Sequence, residues 1–310
     1  MSGWRAGLIA VVLGGVVLAI GWVLARDGAD GPTTTTVTNG ENADVTLSCP
    51  LALQLACDGL ASNLGTGRST YRGGVAPSGT VVVTFAADLP PERDAQVFAR
   101  TPIAIAVWGE RASVLIDACG TVTVACVVAE AGTSWDSLGG PASWGTFLLG
   151  LADPNEGRSD LEAWRLVAAA GPAADLGDWV RLRAADDGQL LADLVLFPSR
   201  ADAVIATEAA IASQLENARN RAGRLTLFYP DPSPYVEVAA YGEGRAAANV
   251  AARLLEPELQ NLLGSVGLRP PTGDATNLLR DLGTPGVEMP ALAADEIQAL
   301  IDSWTRLVGG

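Results

Sequence analysis

WGTFLLGLADPNEGRSD, from Trp144 to Asp160, packs an apolar run, a turn and a helix start into seventeen residues. Its apolar run from Thr146 to Ala152 predicts a strand buried on both faces. Pro154, Asn155 and Gly157 predict a turn. Ser159 or Asp160 then supplies an N-cap for a helix over Leu161 to Ala170. Strand, polar turn and capped helix are the basic unit of an α/β sheet. Ligands of such sheets gather where strand carboxyl ends meet helix N-termini, because free N–H groups and helix dipoles converge there.

The surrounding chain has 310 residues, 49% apolar and 18% charged, enough for two lobes with cores of their own. Its formal charge is −15, from 20 basic and 35 acidic residues, which argues against a nucleic-acid partner. Every basic residue is arginine; the chain contains neither lysine nor histidine. Ser-His-Asp and Cys-His nucleophiles, histidine metal sites, lysine Schiff bases and lysine-bearing phosphate loops are therefore excluded. The Gly65 to Thr70 segment, GTGRST, lacks the phosphate-loop lysine and reads as a plain Gly-rich loop. No cofactor is expected.

Ala6 to Ala25 is uncharged and apolar between Arg5 and Arg26, matching the about 20 residues a membrane-spanning helix needs. A cleaved signal ending at Val23-Leu24-Ala25 is the competing reading. Residues 1–26 are taken as an N-terminal transmembrane helix, an anchor or uncleaved signal, with Arg5 inside and the body extracytoplasmic. Residues 27–43 are a flexible linker by composition. Cys49, Cys57, Cys119 and Cys126 suit disulfides in an oxidising compartment. Of three connectivities the two local ones are favoured, Cys119 facing Cys126 across a hairpin. A regular helix starting at Pro50 would hold Cys57 too far from Cys49, so either that segment is irregular or the pairing differs.

Farther out, Val45 to Ser48 predicts a strand, Leu51 to Leu64 a helix, Gly65 to Gly79 a loop and Thr80 to Ala86 a strand. Pro90-Pro91-Glu92 opens a short helix, Thr101 to Trp108 is a strand, and Val114 to Glu130 reads as strands. Gly171 to Phe197 reads mostly as helix, broken at Gly177 and Gly188. Ala203 to Ala206 is a strand, Thr207-Glu208 starts a helix to Arg221, and Arg224–Tyr229 and Tyr235–Tyr241 are strands. A helix pair covers Ala246 to Val266, and an amphipathic helix covers Ala293 to Val308.

Several of these stretches carry a resemblance. Trp144-Gly145-x-Phe147-x-Leu149-Gly150 with Pro154, Thr101-Pro102 before a β-branched run, Trp135-Asp136-Ser137-Leu138, Thr207-Glu208 directly after a strand, Tyr229-Pro230, and LLEPELQNLLGSVGLRP ending at Pro270 occur in one order. Together they resemble the type II extracytoplasmic solute-binding proteins, most closely the solute-binding-like domains of high-GC Gram-positive bacteria. Leu268 stands where that family carries an aromatic, and the segment ahead of Thr101 is short against its pattern. The resemblance implies a two-lobed α/β clamshell, with residues 44–100 and 231–310 in the first lobe and 101–230 in the second. It implies no enzyme but a membrane-anchored receptor holding a small-molecule solute, working with a transporter or surface protein. The alternative is the same fold without ligand, serving as a scaffold or sensor.

By position, the ligand candidates are Ser48, Thr101, Ser159, Asp160, Thr207, Glu208 and Tyr229, with Arg158 as the cation of the central turn. Each has a plainer role. Ser159 and Asp160 can cap a helix, and Glu208 can complement a helix dipole. Ser48 and Thr101 can satisfy backbone at strand ends, Tyr229 can sit in the core, and Arg158 can pair with Glu156 or Asp160. Trp135, Trp144, Trp164 and Trp179 offer stacking surfaces but suit packing better. Asp153, Glu156 and Asp160 are the only hint of carboxylate catalysis.

Overall fold

The computed structural model describes residues 44–171, 176–182, 186–197, 199–220 and 224–308. The segment expected to anchor the chain (1–26) and its tether (27–43) lie outside the described residues. Among the described residues, no single helix is long and apolar enough to cross a membrane.

Along the chain run β1 (Thr46–Cys49), α1 (Gln54–Leu64), β2 (Gly67–Thr70), β3 (Thr80–Phe85), β4 (Gln96–Trp108), α2 (Gly109–Cys119) and α3 (Val124–Glu130). Next come β5 (Leu149–Gly150), α4 (Arg158–Ala169), α5 (Leu176–Trp179), β6 (Val180–Leu182), α6 (Asp187–Leu196), β7 (Ala203–Thr207) and α7 (Glu208–Asn220). The last are β8 (Leu225–Phe228), β9 (Tyr235–Gly242), α8 (Arg245–Arg253), α9 (Pro257–Leu262) and α10 (Ala294–Val308).

Two sheets share one strand, β4. Its first part pairs antiparallel with β9 as far as Pro102; from Ile103 it pairs antiparallel with β7, and from Ile105 also with β8. Proline is tolerated there because the strand is exchanging partners and one N–H can be spared. The first sheet runs β2-β1-β3-β9-β4 and the second β6-β5-β7-β4-β8. Both place the first strand of the half between two parallel neighbours, and both insert antiparallel, in fourth place, a strand arriving from the other half. The short segment ahead of Thr101 thus supports a first sheet as wide as the second. All six residues of β3 and all five of β7 are buried, as expected of strands covered on both faces.

Helices close the sheets. Behind the β4 joint, α1 and the turn at Leu51–Leu53 pack against α6 and α7. There Gly188 lies so close to the Leu51–Ala52 backbone that a methyl group on it would sit 2.3 Å from the Ala52 nitrogen. The final helix α10, placed by sequence with the first lobe, packs instead on α4 and α5. Trp304 and Trp164 meet edge to face at 5.2 Å, and Trp164 Nε1 donates to Leu300 O and Ser303 Oγ, both at 2.9 Å.

Four local expectations are corrected. Val114 to Glu130 is mostly helical, not strand: Thr123 Oγ1 caps α3 by accepting from Cys126 N at 3.1 Å, and Val124, Val127 and Val128 form its buried face. That i, i+3, i+4 burial outweighs the β-propensity of valine. The Gly65–Gly79 loop contains β2, which gains a parallel partner in β1. The run Thr146–Ala152 forms only a two-residue strand, β5. Pro90-Pro91-Glu92 opens no helix.

Both local disulfides form, each with Cα atoms 6.1 Å apart. Cys57 can reach Cys49 because the chain after Pro50 first makes a 3-10 turn, and α1 starts only at Gln54. Cys119 and Cys126 join the end of α2 to the start of α3 rather than the arms of a hairpin.

Candidate functional site

A cleft of about 920 Å³ opens where the two halves face each other. One wall comes from the carboxyl ends of β1, β2 and β3 and the segments after them, including Pro50, Tyr71, Thr84 and Asp88. The other comes from the turn before α4, with Glu156, Gly157, Ser159 and Asp160, and from Asp186 and Gln189 at the start of α6.

The start of α4 is capped from across the cleft. Neither Ser159 nor Asp160 caps it; the N-cap is Gly157, extended and without a side chain. Asp88, from the segment after β3, accepts from Arg158 N at 3.0 Å. The sequence points to a local cap because Ser and Asp stand at the helix start, but both fall inside its first turn. Asp186 caps α6 in the usual way, accepting from Gln189 N at 2.7 Å.

Four carboxyls therefore crowd this region, and two are buried. Asp160 is 2% exposed; its Oδ1 lies 3.4 Å from Ser159 Oγ, and its Oδ2 has no hydrogen-bond partner. Asp187 is 1% exposed; its Oδ2 accepts from Thr207 N at 2.9 Å and Thr207 Oγ1 at 2.5 Å, and its Oδ1 has no partner. Burial pushes Asp160 well above the usual carboxylate range, and the charges of Asp187, Asp186 and Asp88 push it further. Burial also raises Asp187, to about 6, against the pull of its Thr207 bonds. Asp88 is raised by the walls around it, despite Arg158.

These acids hold their protons more tightly folded than unfolded, so the unliganded protein loses stability as pH rises from the ordinary aspartate range through the raised values. For Asp187 that window ends near pH 6. Asp160→Asn removes the penalty at the more crowded group. Its thermal midpoint is expected to match the parent's at pH 4 and exceed it at pH 8, by about 1–2 kcal/mol in stability. Thermal unfolding of both proteins at the two pH values checks this; a variant less stable at pH 8 contradicts it.

Of the eight candidates read from sequence, Ser159 and Asp160 line the cleft and the other six do not. Ser48 is buried inside β1, two residues before the wall begins at Pro50. Thr101 Oγ1 accepts from Ala209 N at 3.0 Å and so caps α7. Arg158 pairs with Glu162 at 3.0 Å, not with Glu156 or Asp160, and faces a separate depression of about 330 Å³. Thr207 serves Asp187. Glu208 is fully buried and accepts from Arg269 Nε at 2.9 Å and Nη2 at 2.7 Å, as well as from the Tyr229 hydroxyl. Tyr229 also accepts from Gly283 N at 3.1 Å, and burial followed by the Glu208 charge pushes its phenol upward. Arg269 pairs backbone to backbone with Arg100 on β4. This saturated network braces the joint between the halves rather than awaiting a ligand.

Asp88, Asp186 and Asp187 escaped the sequence reading. Only α6 carried a usable signal: Asp186 followed three positions later by Gln189 is a capping pattern. The tryptophans pack: Trp135 is buried, edge-on to Trp144 at 5.2 Å and to Phe147 at 5.4 Å.

No family model matches the chain, and no curated protein matches it. Solved structures do. The substrate-binding protein of an ABC transporter from Agrobacterium tumefaciens is similar at a TM-score of 0.52, with 11% identity over 89% of this chain and 97% of that one. The periplasmic binding protein AfuA from Actinobacillus pleuropneumoniae, solved with fructose-6-phosphate bound, is similar at 0.50, with 13% identity over 86% of this chain and 98% of that one. The fold is that of periplasmic substrate-binding proteins. Both halves build the cleft of about 920 Å³ between the paired sheets.

Proposed function

We propose that this chain is an extracytoplasmic solute-binding protein, tethered by residues 1–26, that delivers or reports a small ligand held between two lobes. Residues 44–100 with the strand and helices following 231 form one lobe, and 101–230 with α10 form the other. They close on the solute by bending at β4 and at the return segment near Pro230. One observation carries the reading: strand ends of the first sheet and the starts of α4 and α6 converge on one cleft, and a buried carboxyl there has an oxygen without a partner. The chain has no histidine or lysine to build the common catalytic nucleophiles, and the similar structures are binding proteins.

A thermal-shift screen of amines, amino acids, sugars, oxyanions and metal ions tests it. The right solute raises the melting temperature with concentration, by about 2.7 kcal/mol of stability at a hundredfold excess over Kd. A folded protein that no member of such a panel stabilises contradicts the proposal.

A further inference from the structure

We infer that the solute is a small organic cation bearing N–H donors, a protonated amine, seated on Asp160 between Asp88 and Asp186. The inference rests on reading the cleft as a solute site and adds the ligand's chemistry. Four features point the same way.

The first is the orphaned oxygen. Asp160 Oδ2 is buried on the cleft wall with no donor facing it, an arrangement that costs free energy until one arrives. An unpartnered carboxyl oxygen calls for a ligand that brings a donor, and an N–H-bearing cation brings one together with the charge the surrounding acids favour.

The second is the sign of the walls. Asp88, Glu92, Glu156, Asp160 and Asp186 line the cleft against two arginines, Arg72 and Arg93, and Arg93 is already held by Glu243 at 2.6 Å. Clefts lined by one sign of charge concentrate ligands of the other.

The third concerns the helix starts, which by themselves would favour an anion. Here the protein's own acids occupy them. Asp88 takes the Arg158 N–H of α4 and Asp186 takes the Gln189 N–H of α6. The dipoles are spent on holding carboxyls in place.

The fourth separates an amine from a metal ion. Among the described residues no three acidic, cysteine or histidine groups come close enough to hold a metal. Tyr241 on the same wall carries the Arg93 guanidinium at 5.1 Å, which holds that arginine away from the carboxyls.

Calorimetric titration of the purified full chain tests the assignment. The probes are 1,4-diaminobutane, spermidine, arginine and tetramethylammonium, with phosphate, citrate, fructose 6-phosphate and glucose beside them. At least one N–H-bearing amine is expected to bind, and tetramethylammonium, with the charge but no donors, to bind about tenfold more weakly or worse. Asp160→Asn is expected to weaken the amine by about 30-fold or more, and Asp88→Asn, at the exposed edge, by about 5–10-fold. Melting temperatures of the unliganded variants at or above the parent's show that both fold. If an anion or sugar binds and no amine does, the cationic class is wrong while the solute-binding reading stands. If nothing binds, both fall. If an amine binds equally to the parent and to Asp160→Asn, its seat is not Asp160.

Discussion

Arg269→Ala is expected to remove about 3–5 kcal/mol of stability, the cost of stranding a buried charge. The Arg269 and Glu208 side chains are 5% and 0% exposed, and the guanidinium makes two bonds to that carboxylate and a third, at 2.8 Å, to Gly283 O. Truncation leaves Glu208 facing only the Tyr229 hydroxyl and leaves a carbonyl without its donor. The thermal midpoint should fall by on the order of 10 °C. Replacing both charges, Arg269→Met with Glu208→Leu, should recover most of the loss, because the penalty belongs to the unpaired partner and not to the absence of the pair. Urea unfolding of the single and double variants measures both. A loss under about 1 kcal/mol for the single variant would mean that water reaches Glu208 and the network braces nothing.

Trp304→Ala is expected to cost about 3–5 kcal/mol as well, but by a different route. The Trp304 ring is 2% exposed and packs edge-on against Trp164, whose indole N–H is anchored to the middle of α10 at Leu300 and Ser303. Most other side chains of α10 are partly or fully exposed, so one ring supplies much of the helix's hold on α4. The loss should therefore be local first. Limited proteolysis is expected to cut within 294–308 in the variant and to leave the parent intact under the same conditions. Equal resistance would show that other contacts hold the helix, and that the tryptophan pair is dispensable.

Much of the fold is legible in the chain. The apolar, β-branched-rich runs at Thr80 to Ala86 and Ala203 to Ala206 read as strands, and β3 and β7 lie there. Thr101-Pro102 marks a place where a strand can spare an N–H, and β4 changes sheets immediately after it. Glu208 directly after a buried strand starts a helix, as it reads. The candidate site is much less legible. Two of eight candidates reach the cleft, and Asp88 carries no local sign of its task, since the helix it caps begins 70 residues later. Glu208 looks like a first-turn acid placed for the dipole; its actual partner, Arg269, is 61 residues away.

The exclusions and the units are written in the amino-acid order: an acidic body with arginine as its only base, two local cysteine pairs, and strands followed by helices. Those depend on residue type and on periods of two to four positions, which a chain displays without folding. Which acids meet, which of them lose their water, and where α10 docks all depend on folding in three dimensions. Burial and the charge around a carboxyl are properties of neighbours in space. Asp88, Asp160 and Asp186 become neighbours only once β4 has joined the two sheets and turned their strand ends toward one cleft.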